Sequence, residues 1–280
     1  MEKKLKIKNG ITIKILNEIQ KLSKDDEKVF LDFWKNFGSV IKEGLYEQSD
    51  HHDKILPILR FECSNTDKHV SLDEYLNKTD PKQKEIYYFT NTDKNHLKNS
   101  PQLEVFIEKK IPVLLMSDAI DEFWIQNVNK YKDKEFKSIT KANLNLTKSK
   151  HNNDNLSNNI KDLINVLKNE LKDEISDVIV SERLTKSPIL LVAEESGMDI
   201  NMEKLMKMHN QKMQNSKKIL EINASHPMII KLSEDLKILN HKKLSMLLLD
   251  QANILDGNTL SNPANYIDSL TELFIKPKQS

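Results

Sequence analysis

Residues 111–124, IPVLLMSDAIDEFW, decide the reading of this chain. Val113 to Met116 is an apolar run of strand length. Three carboxylates, Asp118, Asp121 and Glu122, follow before apolar residues resume at Phe123, Trp124 and Ile125. A strand passing through an acidic turn into a helix puts negative charge where the free N–H groups and dipole of a helix N-terminus favour it. The turn therefore reads first as helix capping. At the carboxyl end of a strand, Asp118, Asp121 and Glu122 also allow a metal or acid–base site, and so an α/β enzyme as the alternative. Three consecutive bulky residues cannot share one helix face, so at least one of Phe123, Trp124 and Ile125 is expected to be exposed.

Working outward, Glu85 to Phe89 is a second strand. The helix-like residues 94–109 separate it from the first, which makes a βαβ unit with a small parallel sheet, and residues 136–139 offer a further strand. Upstream, Ile11, Ile15, Ile19 and Leu22, then Val29, Phe30, Phe33, Trp34 and Phe37, recur at helical spacing in two blocks. A short helix is expected over 55–60, and Ser71 with Glu74 has the capping-box arrangement.

Downstream, LTKSKHNNDNL (146–156) is polar and aperiodic, which places a domain boundary with a linker at 147–158. Helix resumes at Ile160. Val178 to Val180 and Ile189 to Val192 read as a hairpin-like pair around TKSP, and Ile219 to Ile222 as a third strand. Met198, Met202, Leu205, Met206 and Met213 share one helical stripe. Such stripes usually fill cores, but methionine also suits surfaces that accept many partners. Leu244, Leu247, Leu248, Ile254 and Leu255 mark one helix, stopped by Gly257. Tyr266, Ile267, Leu270, Leu273 and Phe274 mark another, started by Asn262-Pro263. That much apolar surface needs either the domain core or a second copy to cover it.

With 43 basic and 42 acidic residues interspersed, the chain lacks the one-sided field of most nucleic-acid binders. Cys63 is the only cysteine, which excludes an intramolecular disulfide; it is expected to be a buried small hydrophobe in a reducing compartment. No stretch reads as a signal peptide or membrane span, so the expected location is cytoplasmic. The five glycines are not spaced as a phosphate-cradling loop, and His51 and His52 do not define a metal site.

Taken in order, FLDFWKNFGSVIKEGL (30–45), LPILRF (56–61), SLDEYL (71–76), KEIYYFT (84–90), SPQLEVF (100–106) and the opening stretch resemble the ninety-kilodalton heat-shock (Hsp90) chaperones, most closely their bacterial branch. The resemblance runs from about Ile11 to Phe274 and covers the C-terminal part of that family. It implies an α/β plus α+β fold. Residues 1–146 would form the end of a middle domain, with a helical lead-in and a small α/β subdomain. Residues 159–280 would form an α+β dimerisation domain whose last two helices build a four-helix bundle in the homodimer.

The resemblance further implies that the chain binds unfolded or partly folded client proteins and other chaperones, with neither nucleic acid nor membrane as partner. The matching client-binding positions are Glu122, Phe123 and Gln126, then Met198, Met202, Leu205 and Met206. Interface positions are the ten apolar residues of the last two helices. The family's nucleotide-binding domain and phosphate-contacting arginine would lie upstream of Met1. ATP and magnesium would then serve the full-length protein, and this chain by itself is expected to be neither an ATPase nor cofactor-bound. Its end, IKPKQS, differs from the acidic EEVD-type tail of eukaryotic cytosolic relatives.

Overall fold

The structure, a computed structural model, describes residues 2–47, 50–144, 146, 156–208 and 216–275. It divides into two compact units, residues 1–98 with 110–138, and residues 99–109 with 139–280. The division therefore falls at 138/139; most of the polar stretch read as a linker, 147–155, and Met213 of the methionine stripe lie outside the described residues.

In the first unit, α1 (Glu2–Asp25) and α2 (Glu27–Tyr46) pack together and are separated by Asp26, whose side chain caps α2 by accepting from the Val29 N–H. Leu16, Phe30, Trp34 and Leu45 enter the core. Ile7, Ile11 and Ile15 are exposed, so the apolar spacing read in the first block is only partly a buried face. At Gly38 an added Cβ would lie 2.8 Å from the Trp34 ring, and the missing side chain lets the indole lie against the helix. The expected helix near 55–60 is α3 (His52–Ile55) followed by the 3-10 turn Leu56–Ile58.

The large sheet contains β1 (Phe61–Cys63), β2 (Thr66–Val70), β3 (Glu85–Thr90), β4 (Leu114–Met116), β5 (Lys130–Tyr131) and β6 (Lys134–Ser138), in the order β2-β1-β4-β3-β6-β5. Its centre is parallel, with Tyr88 opposite Leu114 and Ser138, as the βαβ reading expects. Antiparallel pairs flank both sides. β3 is buried on both faces, as its continuous apolar run EIYYFT requires. The capping box of α4 (Leu72–Lys78) is formed: the Ser71 hydroxyl accepts from the Glu74 N–H at 3.1 Å, and the Glu74 carboxylate accepts from the Ser71 N–H at 2.7 Å. Cys63 is buried.

The crossover between β3 and β4 breaks at Ser100-Pro101 into α5 (Lys94–Asn99), a 3-10 turn and α6 (Glu104–Glu108). After β4, α7 (Asp121–Asn127) packs on α2.

In the second unit, the small sheet has β7 (Ile175–Val180), β8 (Ile189–Val192) and β9 (Lys218–Ile222) in the order β7-β9-β8. β7 and β8 are not hairpin partners; β9 lies between them, parallel to β7 and antiparallel to β8. Period-two alternation explains why β8 is buried on both faces. Ile189 and Leu191 join the main core; Leu190 and Val192 join a second cluster with Ala142 and Leu184. The main core is completed by α8 (Asn158–Glu170), α10 (Pro227–Glu234) and α11 (His241–Leu255). The chain continues through α12 (Pro263–Phe274); α9 (Ile200–Met208) precedes β9. Among the described residues no helix is long and apolar enough to cross a membrane.

Candidate functional site

The acidic turn is an internal charge node. Asp121 is fully buried; its carboxylate accepts from the Trp124 indole N–H at 2.7 Å, the Lys42 ammonium at 2.9 Å and the Asp118 N–H at 3.1 Å. Asp118 takes a second Lys42 bond at 2.8 Å. The N-cap residue of α7 is Ile120, which makes no side-chain cap bond; Asp121 and Glu122 stand in the first turn, where the helix dipole favours negative charge, as the capping reading expects. Burial alone would lower the Lys42 ammonium, but Asp121 and Asp118 outweigh it and hold it above its ordinary value. With Asp121 engaged on three sides, its carboxylate braces α2 against α7, while that of Asp118 stays partly exposed.

Lys42 went unnoticed in the sequence, although a signal was there. It continues the buried stripe Phe30, Trp34, Gly38 at intervals of four, where a lysine requires a carboxylate partner.

Of the three consecutive bulky residues, Trp124 and Ile125 are buried. Phe123 is half-buried and meets exposed Tyr46 edge-on at 5.8 Å between ring centroids. Gln126 is exposed, whereas Glu122 is buried, which corrects its reading as a surface contact residue. At this turn the solvent-accessible side chains among those expected to make contacts are Phe123 and Gln126, with Tyr46 beside them.

In the second unit, α9 is polarised the opposite way from an ordinary surface helix. Its inward face carries Ile200, Asn201 and Glu203, all buried. Glu203 accepts from the Ser216 hydroxyl at 2.9 Å and pairs with Lys207; Lys204 pairs with buried Asp256 at 3.0 Å. Met202, Leu205 and Met206 fall away from that face at 100° per residue and are half-buried, and Met208 at the end is exposed; Met198, also half-buried, precedes the helix, which corrects its reading as part of the helical stripe. The helix is thus held by polar groups beneath and presents sulfur and methyl groups above.

The last two helices divide the ten apolar positions unevenly. Leu244, Leu247 and Leu248 are buried within the protomer, Leu244 and Leu248 in its main core, which removes them from any free interface. Leu255 and Leu273 pack against that core from its edge. Ile254, Ile267 and Phe274 are exposed, Tyr266 and Leu270 half-buried, and Ser269 is the buried residue of α12. The reason is geometric: α11 lies on α8 and β8, while α12 touches the unit along one narrow line.

A further buried node was not foreseen. Arg183 grips Glu221 with two parallel bonds at 3.0 and 2.9 Å, and donates to Gln102 and to the Ile139 and Lys141 carbonyls. Glu104 collects the N–H groups of Thr185, Lys186 and Ser187 at 2.7 to 3.0 Å. Both nodes fasten residues 99–109 into the second unit.

Residues 2–277 match the family model described as Hsp90 protein. The chain belongs to the Hsp90 family. It is 38% identical over 280 residues to the chaperone protein HtpG of Roseobacter denitrificans and 37% identical over 284 residues to that of Orientia tsutsugamushi, in each case across 95% of this chain and 45% of the relative. To the HtpG of Coxiella burnetii it is 35% identical over 277 residues, 96% of this chain and 44% of the relative. The chain thus spans less than half the length of these curated relatives.

Proposed function

We propose that this chain performs the client-holding and dimerising work of an HtpG-type chaperone. The inverted polarity of α9 carries the reading. Met202, Leu205 and Met206 face away from the polar anchorage of the helix, with Met198 just before its start, and such flexible apolar residues suit extended, variable segments of unfolded proteins. Phe123 with Gln126 gives a second, smaller contact patch.

The partner for Ile254, Ile267 and Phe274 is the same face of a second copy, since an isologous contact covers both at once. Client proteins and other chaperones are the partners, and the location is cytoplasmic. ATP-driven closure belongs to a longer protein of the relatives' length, and this chain by itself neither binds nor hydrolyses ATP; saturable heat on titration with magnesium-ATP would contradict this.

The deciding experiment replaces Met202 and Met206 with serine and measures suppression of aggregation of a chemically unfolded test protein. Suppression should fall severalfold while the thermal transition is kept. Full suppression by the folded variant would remove α9 from the binding surface.

A further inference from the structure

We propose that the methionines of α9 are a reversible oxidation site, at which a small hydroperoxide converts the thioethers of Met202, Met206 and Met208, with that of Met198 just before the helix, to sulfoxides and so strips α9 of its apolar surface. The inference rests on the client-holding reading of α9 and adds a control to it. The sulfur lone pair attacks one peroxide oxygen, so that an S–O bond forms and the O–O bond breaks. Sulfur gives up two electrons, and the departing oxygen takes the hydroperoxide proton and leaves as water or an alcohol.

Exposure sets the order in which the sulfurs react. Met208, at the end of α9, is 67% exposed, and Met198, Met202 and Met206 are half-buried. Met228 and Met246 pack against the main core of the second unit, and Met116 in the first unit is only 1% exposed. The one thiol does not compete. Cys63 is buried, its Sγ donates to the Asn65 side chain at 3.2 Å, and burial pushes the thiol above its ordinary value, so the reactive thiolate is scarce.

The anchorage of α9 survives the change because other groups make it. Glu203 with Ser216 and Lys207, and Asp256 with Lys204 and Lys218, hold the inner side through charges and a hydroxyl that peroxide leaves alone. A sulfoxide is polar, so water wets the outer side while the helix stays docked. Reductases for the two sulfoxide epimers return the thioether.

The test treats the intact chain with hydrogen peroxide and follows each methionine by peptide mass spectrometry. Met208 should gain one oxygen first, Met198, Met202 and Met206 next, Met228 and Met246 later, and Met116 and Cys63 last. Binding of an apolar fluorescent dye and suppression of aggregation of an unfolded test protein should both fall severalfold as these sulfoxides accumulate, with the thermal transition kept. Both should return after treatment with methionine sulfoxide reductases A and B. A variant carrying Met198→Leu, Met202→Leu, Met206→Leu and Met208→Leu keeps the apolar surface without the oxidisable sulfur and should resist the same treatment. Core methionines oxidised as fast as those of α9, dye binding indifferent to the sulfoxides, or equal peroxide sensitivity in the leucine variant would overturn the inference. Dye binding needs no client, so a chain that loses dye on oxidation yet never suppresses aggregation would remove the client-holding reading and leave the oxidation site standing.

Discussion

Lys42 and Asp121, 79 residues apart in the chain, meet inside the first unit at 2.9 Å, both side chains almost wholly withdrawn from water. The contact ties the second helix to the turn that follows a central strand, and it holds Trp124 in place through the third bond of Asp121. A buried pair of this kind is costly to half-remove, since the abandoned charge keeps its desolvation penalty.

Lys42→Met is therefore expected to destabilise the first unit by roughly 3–5 kcal/mol. Adding Asp121→Asn should recover part of that loss, because the stranded carboxylate disappears. Urea unfolding followed by tryptophan fluorescence measures both, and equal loss in the single and double variants would mean that the ion pair is not what braces α2 against α7.

Leu248 and Phe274 should respond differently to a polar side chain. Leu248 has no solvent exposure within one protomer, whereas Phe274 is 80% exposed. Leu248→Asp buries an unpaired carboxylate and should unfold the second unit outright, at a cost of several kcal/mol. Phe274→Ser should keep the circular dichroism spectrum and thermal transition of the parent while lowering the mass seen by light scattering. A folded Leu248→Asp monomer would contradict the core placement of that residue.

Asp256, at the end of α11, holds Lys204 of α9 at 3.0 Å and Lys218 of β9 at 3.7 Å. Asp256→Asn should loosen α9 without unfolding the unit. Amide exchange across 200–208 is expected to quicken about tenfold, in keeping with a local opening made easier by a partly screened pair. Unchanged protection would show that α9 is held by its apolar contacts alone.

Glu104 gives the pH prediction. Burial would raise its carboxyl, but the hydroxyl of Ser187 and the N–H groups of Lys186, Thr185 and Ser187 prevail and hold it below the ordinary value of 4.5. A depressed folded value means that the contribution is fully present above the ordinary glutamate range and is lost as pH falls through the folded value. Glu104→Gln should thus cost roughly 1 kcal/mol at neutral pH after solvent screening. The gap between variant and parent should close as the pH is taken below 4.5. Melting curves across that range decide it; a gap independent of pH would assign the effect to shape rather than charge.

Much of the fold could be read from local pattern. The two leading helices, the parallel pairing of the strands at 85–90 and 114–116, the capping box at Ser71 and the Asn262-Pro263 helix start all rest on interactions within a few residues or on strict periodicity. The family, too, was legible, because the order of separated sequence blocks is a linear property. The candidate surfaces were legible only as amphipathic stripes. Glu122 and Leu248 look as available in the sequence as Phe123 and Phe274, and burial separates them.

The sequence by itself determined the leading helices, the strands at 85–90 and 114–116, that the chain is a mixed α and β protein of the Hsp90 family, and where methionine and leucine stripes run, but not the short strands β1, β2 and β5. Only the tertiary structure decided which side of each stripe meets solvent, that β9 enters between β7 and β8, and that Lys42, Arg183 and Glu104 find their counter-charges or donors tens of residues away. The physical reason is one of range. Backbone preference and periodicity act over one or two helical turns, whereas the side that is buried and the partner of a buried charge depend on which distant segment packs there.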